Sequence, residues 1–378
     1  MNYLALKDVC CINMGQSPDS KSYNEAKEGI PFFQGNADFG ERYPITKVWC
    51  NAPTKIAQKD DILISVRAPI GALNYAKETC CIGRGLAAIT PNKTKVSTEF
   101  IFWLLKGKNN ELNSLGTGST FKAISKKVLE ETKVPDISLE KQTAYSNILE
   151  KLYSIITHRR TQLEKLDLLV KARFVEMFGD PELNPYNWDN VTVSDVCSSI
   201  VRGPFGSALK KEFFVERSES TYKVYEQKHA IQKSANIGTY YITKEKYNEL
   251  KRFECFAGDI LMSCSGTMGE LYQLPVGCEK GIINQALCKF TLNEKMLPIC
   301  FLTYMRQTIG NLETKGSGIK NIAAVSYVKA MPINLPPIKV QTQFADFVKK
   351  VDKSKVVLQS ELEKTQTLFD SLMQEYFG

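Results

Sequence analysis

The segment "FVEMFG" (residues 174–179) returns with changes as "MQEYFG" at residues 373–378. Each copy ends a longer stretch, and the two stretches align without a gap across about 35 residues; Gln142 and Gln341 are among the identical pairs. A long alignment of this kind is the signature of an internal repeat. The chain therefore contains two copies of one unit, and each copy ends in Phe-Gly.

The rest of each half repeats more weakly. "DILISVRAPIG" (61–71) matches "DILMSCSGTMG" (259–269), and the Gly-rich "GSTFKAI" (118–124) matches "GSGIKNI" (316–322). Short apolar runs between Gly, Asn and Pro predict strands, with short helices among them, so each globular part is mixed α/β or α+β. We expect four segments: a globular domain at 1–144, a helix at 145–180, a second globular domain at 181–343 and a second helix at 344–378.

Both long helices carry apolar residues at alternating steps of four and three. This period predicts a coiled coil, and the economical partner for each helix is the other one, packed antiparallel with a pseudo-two-fold relation. The predicted seam consists of Leu149, Leu152, Ile156, Leu163, Leu166, Val170, Val348, Val351, Leu358, Leu362, Phe369 and Leu372. Ser138 and Pro336-Pro337 mark the helix starts, and Gly179 ends the first helix.

Composition indicates the cellular compartment of the protein and whether it is soluble. The chain is 43% apolar with a net charge of +8, and its eleven cysteines include no C-x-x-C pair. It has no apolar stretch of about 18 residues and no basic start followed by an apolar run. The sequence therefore predicts a soluble cytoplasmic protein with reduced thiols, no metal site and no membrane segment.

Motifs for catalysis are missing from the sequence. It holds no G-x-x-x-x-G-K-[ST] phosphate loop, no G-x-G-x-x-G after a strand and no Asn/Asp-Pro-Pro-Tyr run, and its two histidines are not spaced for a metal. "GTGST" (116–120) lacks the following Lys of a phosphate loop. We predict no catalytic residues in this chain. Two related units with divergent surfaces indicate that each unit recognises a different binding target.

The duplicated order of these motifs resembles the specificity (S) subunit of type I restriction-modification systems. "LVKARFVEMFGDPELNPYNW" (169–188) is typical of the junction between its halves. The one departure is Ala-Pro in "DILISVRAPIG" where the second copy has Gly-Thr. The resemblance implies two target recognition domains that each read half of a split double-stranded DNA sequence, while the paired helices fix the unread spacer.

The resemblance also implies partners. Two adenine-N6 methyltransferase (M) subunits carrying S-adenosylmethionine would dock on the helices, and motor-nuclease (R) subunits that use ATP would join for cleavage. No cofactor is implied in this chain, which would be a non-catalytic subunit. The alternatives are a self-contained DNA adenine methyltransferase, or a coiled-coil adaptor without DNA affinity.

DNA contacts are expected from polar residues on loops of the globular domains, because Lys and Arg neutralise phosphates while Arg, Asn and Gln read base edges. Each candidate could equally be an ordinary surface residue. In the first domain we predict contacts from Thr117, Ser119, Thr120, Lys122, Gln34, Asn36, Arg67 and Arg84. In the second domain we predict contacts from Ser317, Lys320, Asn321, Arg202, Ser207, Lys210, Lys211, Asn284 and Gln285.

Arg84 in "IGRGL" stands opposite "INQAL", and a change from Arg to Gln or Asn fits a change from guanine to adenine. Arg159 falls on the helix seam, where it could face DNA or fix the helix register. Four tyrosines of the second domain could stack on a displaced base but more often form core at such spacings: Tyr222, Tyr225, Tyr240 and Tyr241.

Overall fold

The computed structural model describes residues 2–118, 122–314 and 325–378, without the side chains of residues 206 and 310–314. It divides into two units, and each is described by itself. Unit 1 comprises Met1–Thr161 with Leu358–Gly378, and unit 2 comprises Gln162–Val357. Each unit thus combines one globular domain with parts of both long helices.

The described part of unit 1 holds eleven strands and four short helices. The strands are β1 (Tyr3–Ala5), β2 (Cys10–Met14), β3 (Tyr23–Asn24), β4 (Ile30–Phe33), β5 (Val48–Cys50), β6 (Ile56–Ala57), β7 (Ile62–Ser65), β8 (Leu73–Tyr75), β9 (Cys80–Ile82), β10 (Leu86–Pro91) and β11 (Lys133–Pro135). The short helices are α1 (Leu6–Val9), α2 (Thr98–Gly107), α3 (Asn109–Ser114) and α4 (Lys126–Glu130), and they precede the first long helix, α5 (Leu139–Phe178).

The described part of unit 2 holds ten strands and four further helices. The strands are β12 (Asp189–Thr192), β13 (Cys197–Arg202), β14 (Tyr222–Tyr225), β15 (Tyr241–Ile242), β16 (Glu254–Cys255), β17 (Ile260–Ser263), β18 (Leu271–Gln273), β19 (Gly281–Ile283), β20 (Leu287–Leu292) and β21 (Pro332–Leu335). The helices are α6 (Gln227–Ile231), α7 (Lys244–Glu249), α8 (Pro298–Thr314) and α9 (Val325–Lys329), followed by the second long helix, α10 (Ile338–Phe377).

The two units share one topology. Unit 1 has an antiparallel sheet β2-β10-β7-β8 and a sheet β3-β5-β4-β9-β6 in which β4 and β9 run parallel. Unit 2 repeats this with β13-β20-β17-β18 and with the four-stranded sheet β15-β14-β19-β16, in which β14 and β19 run parallel. The edge strand β3 has no counterpart strand in the described part of unit 2. In each unit one further pair, β1-β11 or β12-β21, joins the ends of the domain. The repeat in the sequence is therefore a repeat of the fold.

Strand β7 of unit 1 and its counterpart β17 of unit 2 are buried on both faces. This burial explains the continuous apolar run of each strand. In unit 1, Leu63 packs with Phe33 and Ile82 between the two sheets. Its neighbours Ile62 and Ile64 point to the other face and are also fully buried. In unit 2, Leu261 takes the same intersheet position as Leu63. The apolar runs that open the matching segments at 61 and 259 are strands, as predicted.

In unit 1 the end of α10 packs on α2 and on the start of α5. Tyr376 stacks on Tyr145 with ring centroids 3.7 Å apart, and Phe369 meets Trp103 of α2 at 5.7 Å. Nearer the middle of the helices, Arg159 bonds to Glu361. Residue numbers rise along α5 as they fall along α10, so the two helices are antiparallel in this unit.

In unit 2 the same two helices are again antiparallel. Lys355 of α10 pairs with Asp167 of α5 at 2.6 Å, and Phe344 meets Phe174 at 5.5 Å. The predicted heptad ladder passes through Arg173, but the structure buries Phe174 instead. The helix turns this face toward the unit 2 core, whereas Arg173 pairs with Glu176 near the surface.

The sequence predicted the class of fold correctly: mixed α/β, two similar domains and long paired helices. All twelve predicted seam residues are buried or half-buried. Helix α5 begins directly after Ser138 and ends before Gly179, whose φ of +82° suits glycine. Among the described residues, no helix combines the length and apolar character needed to cross a membrane.

Candidate functional site

Two loops of unit 1 meet where the parallel strands β4 and β9 end. Gly83 N donates to Phe33 O (2.8 Å), and Gly85 N donates to Gln34 O (3.2 Å). The intervening Arg84 is exposed, as is Gln34. Because adjacent parallel strands end at the same edge of a sheet, the structure brings these two predicted residues together.

A third loop lies against this edge through a close backbone approach. A Cβ on Gly15 would lie 2.2 Å from Gly83 O, so only glycine fits there. Two residues later, Ser17 Oγ accepts from Arg84 N at 3.4 Å. Ser17 was not among the predicted residues, because its place depends on a contact between segments 67 positions apart.

Three more predicted residues of unit 1 join the same edge. Val66 N donates to Gly85 O (2.9 Å), which puts Arg67 next to the Arg84 turn, and Ala68 N donates to Lys122 O (3.0 Å). Thr117 and Arg67 both pair with Ala123 as isolated bridges. We call this set the unit 1 loop cluster: Ser17, Gln34, Arg67, Arg84, Thr117 and Lys122. Asn36 lies just outside it, half-buried in a helical turn at Asn36–Asp38.

Unit 2 builds an equivalent edge with the same backbone bonds. Asn284 N donates to Tyr225 O (2.9 Å) as Gly83 does to Phe33, and Cys264 N donates to Ala286 O (2.8 Å) as Val66 does to Gly85. These bonds put Gln285 at the position of Arg84. The equivalence predicted from "IGRGL" and "INQAL" is confirmed as a structural equivalence.

The side chains on this second edge are mostly different. Arg202 Nε donates to Gln285 O at 3.4 Å. Gln227 Nε2 donates to Ser265 O and, at 3.3 Å, to Thr267 O. We call this set the unit 2 loop cluster: Arg202, Phe205, Gln227, Ser265, Asn284 and Gln285. Phe205, Gln227 and Ser265 were missed, and only the "DILMSCSG" repeat pointed toward Ser265.

Other predicted residues lie elsewhere or are not described. Ser207, Lys210 and Lys211 are exposed in the segment between β13 and β14, where Lys210 pairs with Glu212 at 3.7 Å. Five predicted residues fall outside the described part of the chain: Ser119, Thr120, Ser317, Lys320 and Asn321.

Arg159 and the four tyrosines all make contacts within the protein. Arg159 is used inside the helix pair: its guanidinium donates to Glu361 O (2.8 Å), Glu361 Oε2 (2.9 Å) and Thr365 Oγ1. Tyr225 and Tyr241 are buried in the unit 2 core. The other two of the four tyrosines stack on aromatic neighbours: Tyr222 on Tyr247 and Tyr240 on Phe214.

Burial and hydrogen bonds shift the pKa of several side chains among the described residues. Burial raises the pKa of the Cys80 and Cys300 thiols to about 12, which keeps them protonated. A hydrogen bond with Cys288 lowers the pKa of Cys264, and nearby Arg202 adds to this. Burial lowers the pKa of His229, whose Nδ1 accepts from Glu226 N at 2.8 Å. No group of three metal-binding side chains occurs in the described chain.

Both edges therefore present amide, hydroxyl and guanidinium groups on rigid backbone turns. Amides and guanidinium groups suit the hydrogen-bonding edges of bases, and lysines suit phosphates. The equivalent positions carry different side chains, so the two edges suit different ligands of the same chemical kind.

Comparison with known proteins agrees with this chemistry. The type I restriction modification DNA specificity domain matches residues 1–166 and 185–365. This chain belongs to that family. A putative type I restriction enzyme specificity subunit of Methanocaldococcus jannaschii is 46% identical over 156 residues, which are 41% of this chain and 37% of the relative. The chain thus covers well under half of the length of that curated relative.

Two solved structures share the fold over all of this chain. The S subunit of a type I system from M. genitalium has a TM-score of 0.58 at 13% identity, with 96% of its chain covered. A chain from a type I R-M system, described for its complex assembly and conformational transition, has a TM-score of 0.62 at 15% identity, with 97% covered. At these identities the likeness concerns the fold.

Proposed function

We propose that this chain is the DNA-recognition subunit of a type I restriction-modification complex, with each unit reading one half of a bipartite target. The observation that carries the proposal is the pair of equivalent loop clusters with different side chains. A duplicated enzyme would keep one reactive constellation, whereas two readers keep the scaffold and change the contacts. Family membership supports the same function.

In the unit 1 loop cluster, Arg84 suits the O6 and N7 acceptors of guanine, and Gln34 suits adenine. Arg67 and Lys122 supply positive charge for phosphates on either side. In the unit 2 loop cluster the amides of Asn284 and Gln285 favour adenine. The two half-sequences are therefore expected to differ, with guanine read in the first half.

The paired helices have two roles in this proposal: they set the unread spacer and dock the methyltransferase subunits. The predicted seam residues are buried or half-buried, so a docked subunit would contact the outward faces of the helices instead. Those faces carry exposed apolar side chains: Ile148, Ile155, Leu168, Leu169, Val356 and Val357. In unit 2, Val356 and Val357 line an apolar groove of about 680 Å³ with Ile299 of α8.

The chemistry of the complex belongs to its partners. Two methyltransferase subunits would carry S-adenosylmethionine, motor-nuclease subunits would use ATP, and this chain would hold no cofactor and act in the cytoplasm. Calorimetric titration of the isolated chain with S-adenosylmethionine separates this proposal from a self-contained methyltransferase. We expect no heat of binding, and micromolar affinity would favour the enzyme.

Substitution of two exposed basic residues of unit 1, Arg84 and Lys59, tests whether the loop cluster reads the DNA sequence. We expect Arg84→Ala, in complex with the methyltransferase subunit, to lose discrimination at one base pair of one half-site by about tenfold. Lys59→Ala is the control, because Lys59 is exposed in the turn before β7, at the other end of that strand. Equal effects of the two variants on all DNA sequences would contradict the proposal.

A further inference from the structure

Phe205 is an aromatic side chain that the fold leaves in solvent. It follows β13 in the segment 203–206, and 63% of its surface is exposed. The guanidinium carbon of Arg202 lies 5.1 Å from the ring centroid, close enough for a cation–π contact. An exposed ring held by a neighbouring cation is oriented yet available to a ligand.

The repeat supplies an internal comparison. Gly203 N donates to Leu287 O (3.0 Å) as Gly15 N does to Leu86 O (2.9 Å), so these two glycines are equivalent. Two residues further on, unit 1 carries Ser17 and unit 2 carries Phe205. The hydrogen bond at the glycine therefore forms in both units, and only unit 2 follows it with an aromatic side chain.

The backbone before Phe205 is fixed against the predicted readout residues. A Cβ on Gly203 would lie 1.9 Å from Asn284 O, so the two loops touch. Arg202 is tied to Gln285 O through its Nε. Phe205 thus follows directly after a backbone segment that touches Asn284 and Gln285, whose amides suit base edges.

We propose that Phe205 contacts the 5-methyl group of a thymine in the half-site read by unit 2; this inference rests on the proposed function. Within a duplex the bases are stacked, so a side chain entering the major groove meets their edges. The thymine methyl is the apolar group on those edges. A phenylalanine beside two amides therefore suits thymine next to adenine or guanine.

The test uses the complex with the methyltransferase subunit and duplexes carrying the target of this chain, as identified by methylation mapping. Each thymine of the unit 2 half-site is replaced in turn by deoxyuridine, which lacks only the methyl group. We expect one replacement to weaken binding about fourfold, in keeping with the loss of one buried methyl. Phe205→Ser, which introduces the residue of unit 1, should bind thymine and deoxyuridine equally.

Phe256→Ser is the matched control, because this phenylalanine is 49% exposed but precedes β17, at the end of that strand away from Ser265. It should keep the full response to deoxyuridine. Thermal unfolding reports whether each variant is folded. If Phe205→Ser does not fold, Phe205→Leu is measured in its place. This variant keeps an apolar side chain and should retain part of the response to deoxyuridine.

Three results would overturn the inference: no thymine responds, the half-site contains no thymine, or Phe205→Ser keeps the wild-type response. Failure of the unsubstituted complex to bind any of the duplexes would instead count against the proposed function. The two failures are therefore distinguishable in one set of measurements.

Discussion

Two buried glutamines at equivalent positions explain part of the repeat at the level of single residues. Gln142 Oε1 accepts from Ser97 N (2.9 Å), and its Nε2 donates to Lys95 O and Ile137 O. Gln341 makes the same three bonds to unit 2 backbone. Each amide ties the start of a long helix to the start of α2 or α8, so the identity of the two residues follows from a shared structural task.

Replacing Gln142 by methionine keeps the shape of the side chain but removes its three hydrogen bonds. Buried backbone groups would lose their partners, so we expect the free energy of unfolding to fall by about 2 to 4 kcal/mol. Urea denaturation followed by circular dichroism measures this change. Lys141→Met, at the preceding exposed position, should be nearly neutral, and an equal loss in both variants would contradict this role.

At the level of elements, the heptad period predicted the two long helices, and continuous apolar runs predicted a few of the strands. The buried strands show as continuous apolar runs, and Ser138 and Gly179 mark the ends of α5. The departure at Phe174 arises because a heptad ladder describes a helix against one partner, whereas this part of α5 also packs on Tyr304 of α8. A sequence pattern does not reveal where a helix changes partner.

The contact between α10 and α2 in unit 1 gives a matched pair of substitutions. Phe369 is 6% exposed and lies between Trp103 and Tyr153, while its neighbour Leu368 is 50% exposed. Phe369→Ala should lower the free energy of unfolding by about 3 to 5 kcal/mol. Leu368→Ala should change it by less than about 0.5 kcal/mol. Similar losses in chemical denaturation would refute the packing described for α10.

At the level of the whole molecule, the sequence showed that the chain is duplicated. It did not show the strand order that the two units share. Arg84 was found because "IGRGL" aligns with "INQAL", and Gln34 was found as a polar residue on a predicted loop. Ser17, Gln227 and Phe205 were missed, because each reaches its cluster through pairing between distant strands. The two loop clusters carry different side chains, so the repeat identifies their shared scaffold better than the residues on it.

The length of the helix pair should set the unread spacer. Deleting residues 157–163 and 359–365 together removes one heptad from each helix, including Arg159 and its partners Glu361 and Thr365. One heptad spans about 10.5 Å, or up to about three base pairs. Methylation mapping should show a shorter gap with both half-sequences unchanged. A change in either half-sequence would mean that the helices also shape the readers.

The most direct test is to co-express the chain with its methyltransferase subunit and map N6-methyladenine across the host genome. We predict one bipartite motif, with two different half-sequences separated by an unspecified gap of constant length. Methylation at a single continuous motif, or none with a methyltransferase subunit shown to be active with another specificity chain, would contradict the account.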